Sequence, residues 1–158
     1  MHFPIIVIED VDNLPINWCR DLPSDDKTLQ EHTDYYGEMY TPSEREGVIK
    51  AKWFTDFFDG FADVDTKKET ITFKDKDTCR KHLMDYYKEL AEELYDKAQT
   101  ESIRGYDFYC AAMEYKGYPE LFYLAKENYA QTSADFVGDS VYMAGKIYRI
   151  GNIFDAHY

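Results

Sequence analysis

Basic residues are scarce in this chain. Lys and Arg number 18 against 31 Asp and Glu, leaving a formal charge of −13 over 158 residues. That balance argues against direct binding to DNA, RNA or an anionic membrane, because phosphate contacts draw on Lys and Arg. Cysteine is sparse too. Cys19, Cys79 and Cys110 are an odd number at wide spacing, which suggests neither a disulfide framework nor a zinc site. Cys79 and His82 lie three apart, yet no second pair of suitable spacing completes a metal set, so packing is their expected role. No apolar run approaches the length of a membrane span. The segment Phe3–Ile8 has no basic leader before it and is too short for a signal peptide, so a reducing cytosol is the expected compartment.

Catalytic signatures are missing as well. The chain contains no GxSxG, phosphate loop, GxGxxG or HExxH. Asp63 and Asp75 each begin a short acidic spacing that resembles a calcium loop. Lys67 and Cys79 occupy their fifth positions, where an oxygen ligand is required. No cofactor is expected.

What the chain does contain is aromatic residues, acids and one long helical pattern. An aromatic content of 17% is too high for a disordered acidic tail, and the length suits one domain spanning residues 1–158. Within Asp77–Gln99, Cys79, Leu83, Tyr86, Leu90, Leu94 and Ala98 recur at steps of three and four, predicting a helix capped by Asp77 or Thr78. Its other side carries Asp85, Glu89, Glu92 and Asp96, one carboxylate roughly every 5–6 Å. Pairing as Lys81–Asp85, Lys88–Glu92 and Glu93–Lys97 makes this a solvated face on a helix whose main role is in the core.

Other elements follow from local pattern. Phe3–Ile8 reads as a buried strand. Ser24–Asp26 starts a short helix carrying Leu29 and His32. Thr41–Pro42–Ser43–Glu44 is a capping box opening a helix with a broad aromatic face, although Val48–Phe54 also suits a strand. Glu69–Lys74 alternates like a half-buried strand. Tyr106–Tyr115 fits strand or helix. Pro119–Tyr129 reads as a helix with Leu121, Phe122, Leu124 and Ala125 inward. Val141–Tyr158 reads as one or two strands broken at Gly145 and Gly151–Asn152. Together these predict an α+β fold: a small, mostly antiparallel sheet on about three helices.

The acids are lopsided. Residues 1–65 hold 15 acids and 5 bases, whereas residues 66–158 hold 16 and 13. Carboxylates interleaved with tyrosines suit a rigid, hydrogen-bonding contact surface. The expected contact set is Asp21, Asp25, Asp26, Glu31, Asp34, Tyr35, Tyr36 and Glu38, followed by Asp56, Asp59 and Asp63. The corresponding function is non-enzymatic: an acidic inhibitor that mimics nucleic acid and occupies the basic groove of a nuclease or other defence enzyme, as anti-restriction and anti-CRISPR proteins do. Two alternatives stand beside it. One is a toxin immunity protein or structural interaction module; the other is a metal-dependent enzyme built on Glu9, Asp10 and Asp12.

Overall fold

Alternation along the first strand divides the molecule into two packed faces. In a computed structural model that describes residues 2–11, 22–23 and 26–157, β1 (His2–Asp10) sends Ile6 and Ile8 to one side and Phe3, Ile5 and Val7 to the other. Along one edge β1 pairs antiparallel with β7 (Ile147–His157); along the other it pairs in parallel with β5 (Leu121–Leu124). The hairpin partner of β5 is β6 (Tyr129–Thr132). Beyond β7 lie β4 (Thr70–Phe73) with β3 (Ala62–Asp65), and separately β2 (Tyr35–Met39). Among the described residues the sheet thus has seven strands in the order β3-β4-β7-β1-β5-β6, with β2 also on β7, and every pairing but β1–β5 is antiparallel. The α+β class stands. The sheet is larger than the small one expected.

Four helices cover the Ile6 face: α2 (Pro42–Lys50), α3 (Lys52–Phe58), α4 (Lys76–Thr100) and α6 (Ser133–Met143). Their core is aromatic. Phe57 stacks on Phe122 at 4.9 Å between centroids, and Phe122 on Phe136 at 4.0 Å. The Phe3 face is covered by Leu29 of the short helix α1 (Lys27–Gln30), with Leu22 and Tyr36 at its margin. A further helix, α5 (Gly105–Met113), buries no residue. No described helix is long and apolar enough to cross a membrane.

One edge of β7 is shared by two strands that do not meet. β4 pairs with Ile147–Arg149 and β2 with Phe154–His157, so among the described residues the stretch between them has no strand neighbour on that side. Side chains and loops close the gap. Ile150 N–H donates to Glu69 O at 2.9 Å, Tyr40 N–H donates to Ile153 O at 2.8 Å, and Arg45 donates to the carbonyls of Ile150 and Gly151, both at 2.7 Å. The same guanidinium pairs with Glu69 at 2.8 Å. Gly151 sits at a bulge opposite β1, where an added Cβ would lie 2.8 Å from Glu9 Oε1.

Several expectations change on contact with the structure. Pro119–Tyr129 is not a helix: Leu121–Leu124 is strand β5, because a short apolar run buried on both faces carries no readable period. Val48–Phe54 belongs to two helices meeting at Ala51, and Tyr106–Tyr115 is helical through Met113. Helix α4 is capped by Asp75, whose carboxylate accepts from Thr78 N–H, rather than by Asp77 or Thr78. Of its stripe Cys79 and Tyr86 are buried and Leu83 and Leu90 pack half-buried against the core, so the helix leaves the core only past Leu90. The tail begins inside α6, turns at Gly145, and continues as a single strand across Gly151–Asn152. Leu14, Ile16 and Trp18, expected from the sequence as apolar anchors of the irregular stretch Asn13–Tyr40, and Cys19 lie outside the described residues.

Because Arg45 replaces a missing strand, Arg45→Met should lower unfolding free energy by about 2–3 kcal/mol. Lys52→Met, which removes an exposed ion pair with Asp56, should leave the urea midpoint unchanged. Equilibrium urea denaturation of the two variants checks both.

Candidate partner-binding surface

Helix α5 is apolar around most of its circumference, with Tyr106, Phe108, Tyr109, Cys110 and Met113 within nine residues. Helices of that composition are normally buried. Here Tyr106 is 69% exposed, and Phe108 and Tyr109 are each 57% exposed. Arg104 and Asp107 fix its start: Asp107 accepts from the Arg104 backbone and guanidinium at 3.0–3.1 Å, which holds its carboxyl down at about 2. A clustered exposed aromatic patch of this kind makes α5 a candidate contact surface.

Grooves lie on both sides of α5. The wider, about 810 Å³, runs between α5 and α4, with Glu89, Glu93, Asp107 and Glu114 against Lys97 and Lys116. Its floor includes Tyr86, a buried residue whose hydroxyl has no partner among the described residues. The second groove, about 450 Å³, lies between α5 and the segment after α1, and is lined by Glu31, Asp34, Tyr106 and Tyr109. Carboxylates therefore flank the aromatic helix on both sides.

Tyr86 of the α4–α5 groove packs edge-on against Tyr115 at 4.7 Å between centroids, and Tyr115 in turn meets His82. The Nε2 of His82 lies 2.8 Å from the Tyr115 hydroxyl, and its ring packs under Gly60, where a Cβ would sit 2.5 Å from His82 Nδ1. Burial pushes the His82 pKa down, with Lys116 assisting and Asp59, Asp85 and Glu89 opposing. Burial likewise raises Tyr115, with Glu89 and Asp59 adding to the effect. Asp59, just past α3, and acids of α4 thus act on one common spot.

The predicted contact residues divide among several places. Glu31 and Asp34 line the second groove and are exposed. Tyr35 and Glu38 are exposed on β2, opposite His157 and Asp155. Tyr36 is half-buried on the Phe3 face and donates its hydroxyl to Pro23 O at 2.7 Å. Asp26 is occupied as the cap of α1, accepting from Thr28 and Leu29 N–H and from the Tyr123 hydroxyl. Those bonds outweigh its burial and pull its pKa down. Asp56 pairs with Lys52, Asp59 lies near His82, and Asp63 is exposed on strand β3 with Lys74 4.0 Å away. Asp21 and Asp25 lie outside the described residues. Among the described residues the set does not form one patch, because β2 lies against the His157 end of β7 while β3 lies beyond β4 at its Ile147 end.

Sequence reasoning passed over α5 and the carboxylates of α4. The signal was an aromatic cluster at Tyr106–Tyr109 with no clear polar side, which left strand and helix open. All three expected pairs along α4 do form: Lys81–Asp85 at 2.5 Å, Lys88–Glu92 at 3.8 Å and Glu93–Lys97 at 2.8 Å. Glu89 is approached by Lys116 from outside the helix, at 3.9 Å.

The carboxylates offered for an enzyme are differently placed. Glu9 is buried beside Arg45 and Arg149; burial raises its pKa while the two guanidinium groups oppose the rise. Asp10 points to the opposite face and lies 3.7 Å from Lys126, and Asp12 is outside the described residues. Cys79 is likewise a packing residue, its thiol 3.4 Å from Phe61 O. Comparison with protein-family models, curated proteins and solved structures finds no match to this chain.

His82 gives a pH signature. A depressed folded pKa means the unfolded chain binds the proton first. Stability is therefore intact above the ordinary histidine value near 6.5 and falls as pH drops through the lowered folded value. The wild-type melting temperature should decline below about pH 6.5 more steeply than that of His82→Gln. Parallel thermal melts across that range check the slope.

Proposed function

We propose that this protein is a non-enzymatic binder of a basic protein surface, docking through α5 and the acidic grooves beside it. The observation that carries the reading is an aromatic helix with no buried residue, flanked by Glu89, Glu93, Asp107 and Glu114 on one side and Glu31 and Asp34 on the other. Aromatic side chains supply contact area at low entropic cost, while the carboxylates supply steering and register.

The favoured partner is an enzyme that handles nucleic acid. Its binding groove offers Lys and Arg for phosphates together with flat apolar walls for bases. Glu89, Glu93, Asp107 and Glu114 in the α4–α5 groove meet the first requirement. Tyr106, Phe108 and Tyr109 meet the second. Occupying such a groove inhibits without any bond being made or broken, which is how an anti-restriction or anti-CRISPR protein would work. The net charge of −13 would speed encounter with so basic a target.

Salt and competition test this. Partner captured on the immobilised protein should elute with rising salt and be displaced by DNA or RNA. The triple reversal Glu89→Lys, Glu93→Lys, Glu114→Lys should weaken binding by more than about tenfold, equivalent to roughly 1.4 kcal/mol. Asp63→Lys, on the far strand β3, should leave it unchanged. Full affinity in the triple variant would remove this surface from consideration. Tight binding that nucleic acid does not displace would point instead to an immunity role against one cognate toxin.

A further inference from the structure

Strand register gathers three metal-ligating side chains at the His157 end of β7. Asp155 and His157 are two residues apart and so project to the same face, opposite the buried Phe154 and Ala156. His2 on β1 stands directly across from His157. One ligand atom from each of the three falls within 4.8 Å of the others. His2 Nδ1 is 2.7 Å from Asp155 Oδ2, and the His2 and His157 rings lie 4.8 Å apart. Glu38 sits across from Asp155 on β2, and the Tyr35 ring is 5.1 Å from that of His157. A groove of about 630 Å³ between the sheet and α2 opens beside His2 and Asp155.

We infer that His2, Asp155 and His157 bind one first-row divalent transition-metal ion, with Zn2+ the best match. Two imidazoles and a carboxylate suit borderline ions; magnesium and calcium require oxygen-rich shells. Three protein ligands leave one position open, as in zinc sites that accept a water or an outside ligand. That position faces the groove, with Glu38 at its margin. Zinc bonds of about 2.0 Å at tetrahedral angles place ligands about 3.3 Å apart, so the widest separation must close by about 1.5 Å. His2, on the exposed end of β1, makes that adjustment by side-chain rotation. The ion takes the place of the direct His2–Asp155 contact. Bound there, it ties the start of β1 to the end of β7.

The test uses the full chain, ZnCl2 and a chromophoric chelator as competitor. One equivalent should bind in the presence of excess millimolar Mg2+, and raise the melting temperature. His2→Ala and Asp155→Asn should each weaken binding by more than about tenfold, whereas His32→Ala should not. Binding should also weaken at about pH 5.5, where imidazoles are protonated. His2 is exposed enough that its variant should fold as wild type does, which a melt without metal verifies. Equal affinity in His2→Ala, or displacement of Zn2+ by Mg2+, overturns the inference and assigns the uptake to diffuse surface carboxylates.

Discussion

The guanidinium of Arg45 takes the place of a strand. β7 is the spine of the sheet, yet one of its edges is covered by two strands with a gap between them. A bare gap in a buried ladder would leave carbonyls without donors, at a cost comparable to losing the hydrogen bonds themselves. Arg45 supplies two donors in a fixed fork and is itself balanced by Glu69 and by the neighbouring buried Glu9. Its reach fixes where α2 lies against the sheet, and through the Thr41 capping box it fixes where β2 ends. Both walls of the groove beside His2 follow from that one contact.

Charge and hydrophobicity are partitioned unusually between the two ends of the helical layer. Phe57, Phe122 and Phe136 stack in a dry aromatic core, whereas an equally aromatic helix, α5, is left in solvent between rows of carboxylates. Burial alone would have folded α5 inward. The acids around it resist that, since carboxylates brought under a packed helix would lose their hydration. The arrangement therefore holds an apolar surface open by surrounding it with groups that must stay wet.

Legibility in the sequence followed the range of the interaction responsible. The capping box at Thr41–Glu44, strand β1 and the three ion pairs along α4 all depend on neighbours a few residues apart, and each was readable. Strand β5 was not, because Leu121–Leu124 is buried by β1 on one edge and by both cores above and below. Its lack of alternation suited a helix equally well. The continuity of β7 through Gly151 depends on Glu9 and Arg45, more than a hundred residues away. Acid content showed how much negative charge there is but not what each carboxylate does. Asp26 is spent on a helix cap and Asp56 on a lysine, while Glu89 and Glu93, discounted as a solvated face, border the groove between α4 and α5.

Helix α4 extends about 21 Å past Tyr86, its last buried residue, with only Leu90 and Leu94 half-covered beyond that point. Backbone amides around Cys79 should open only with the global fold, while those past Leu94 should open by local fraying alone. One continuous rod would thus span two exchange regimes, slow at its root and fast at its tip. A ligand lying along it would register first as new deuterium protection at the tip.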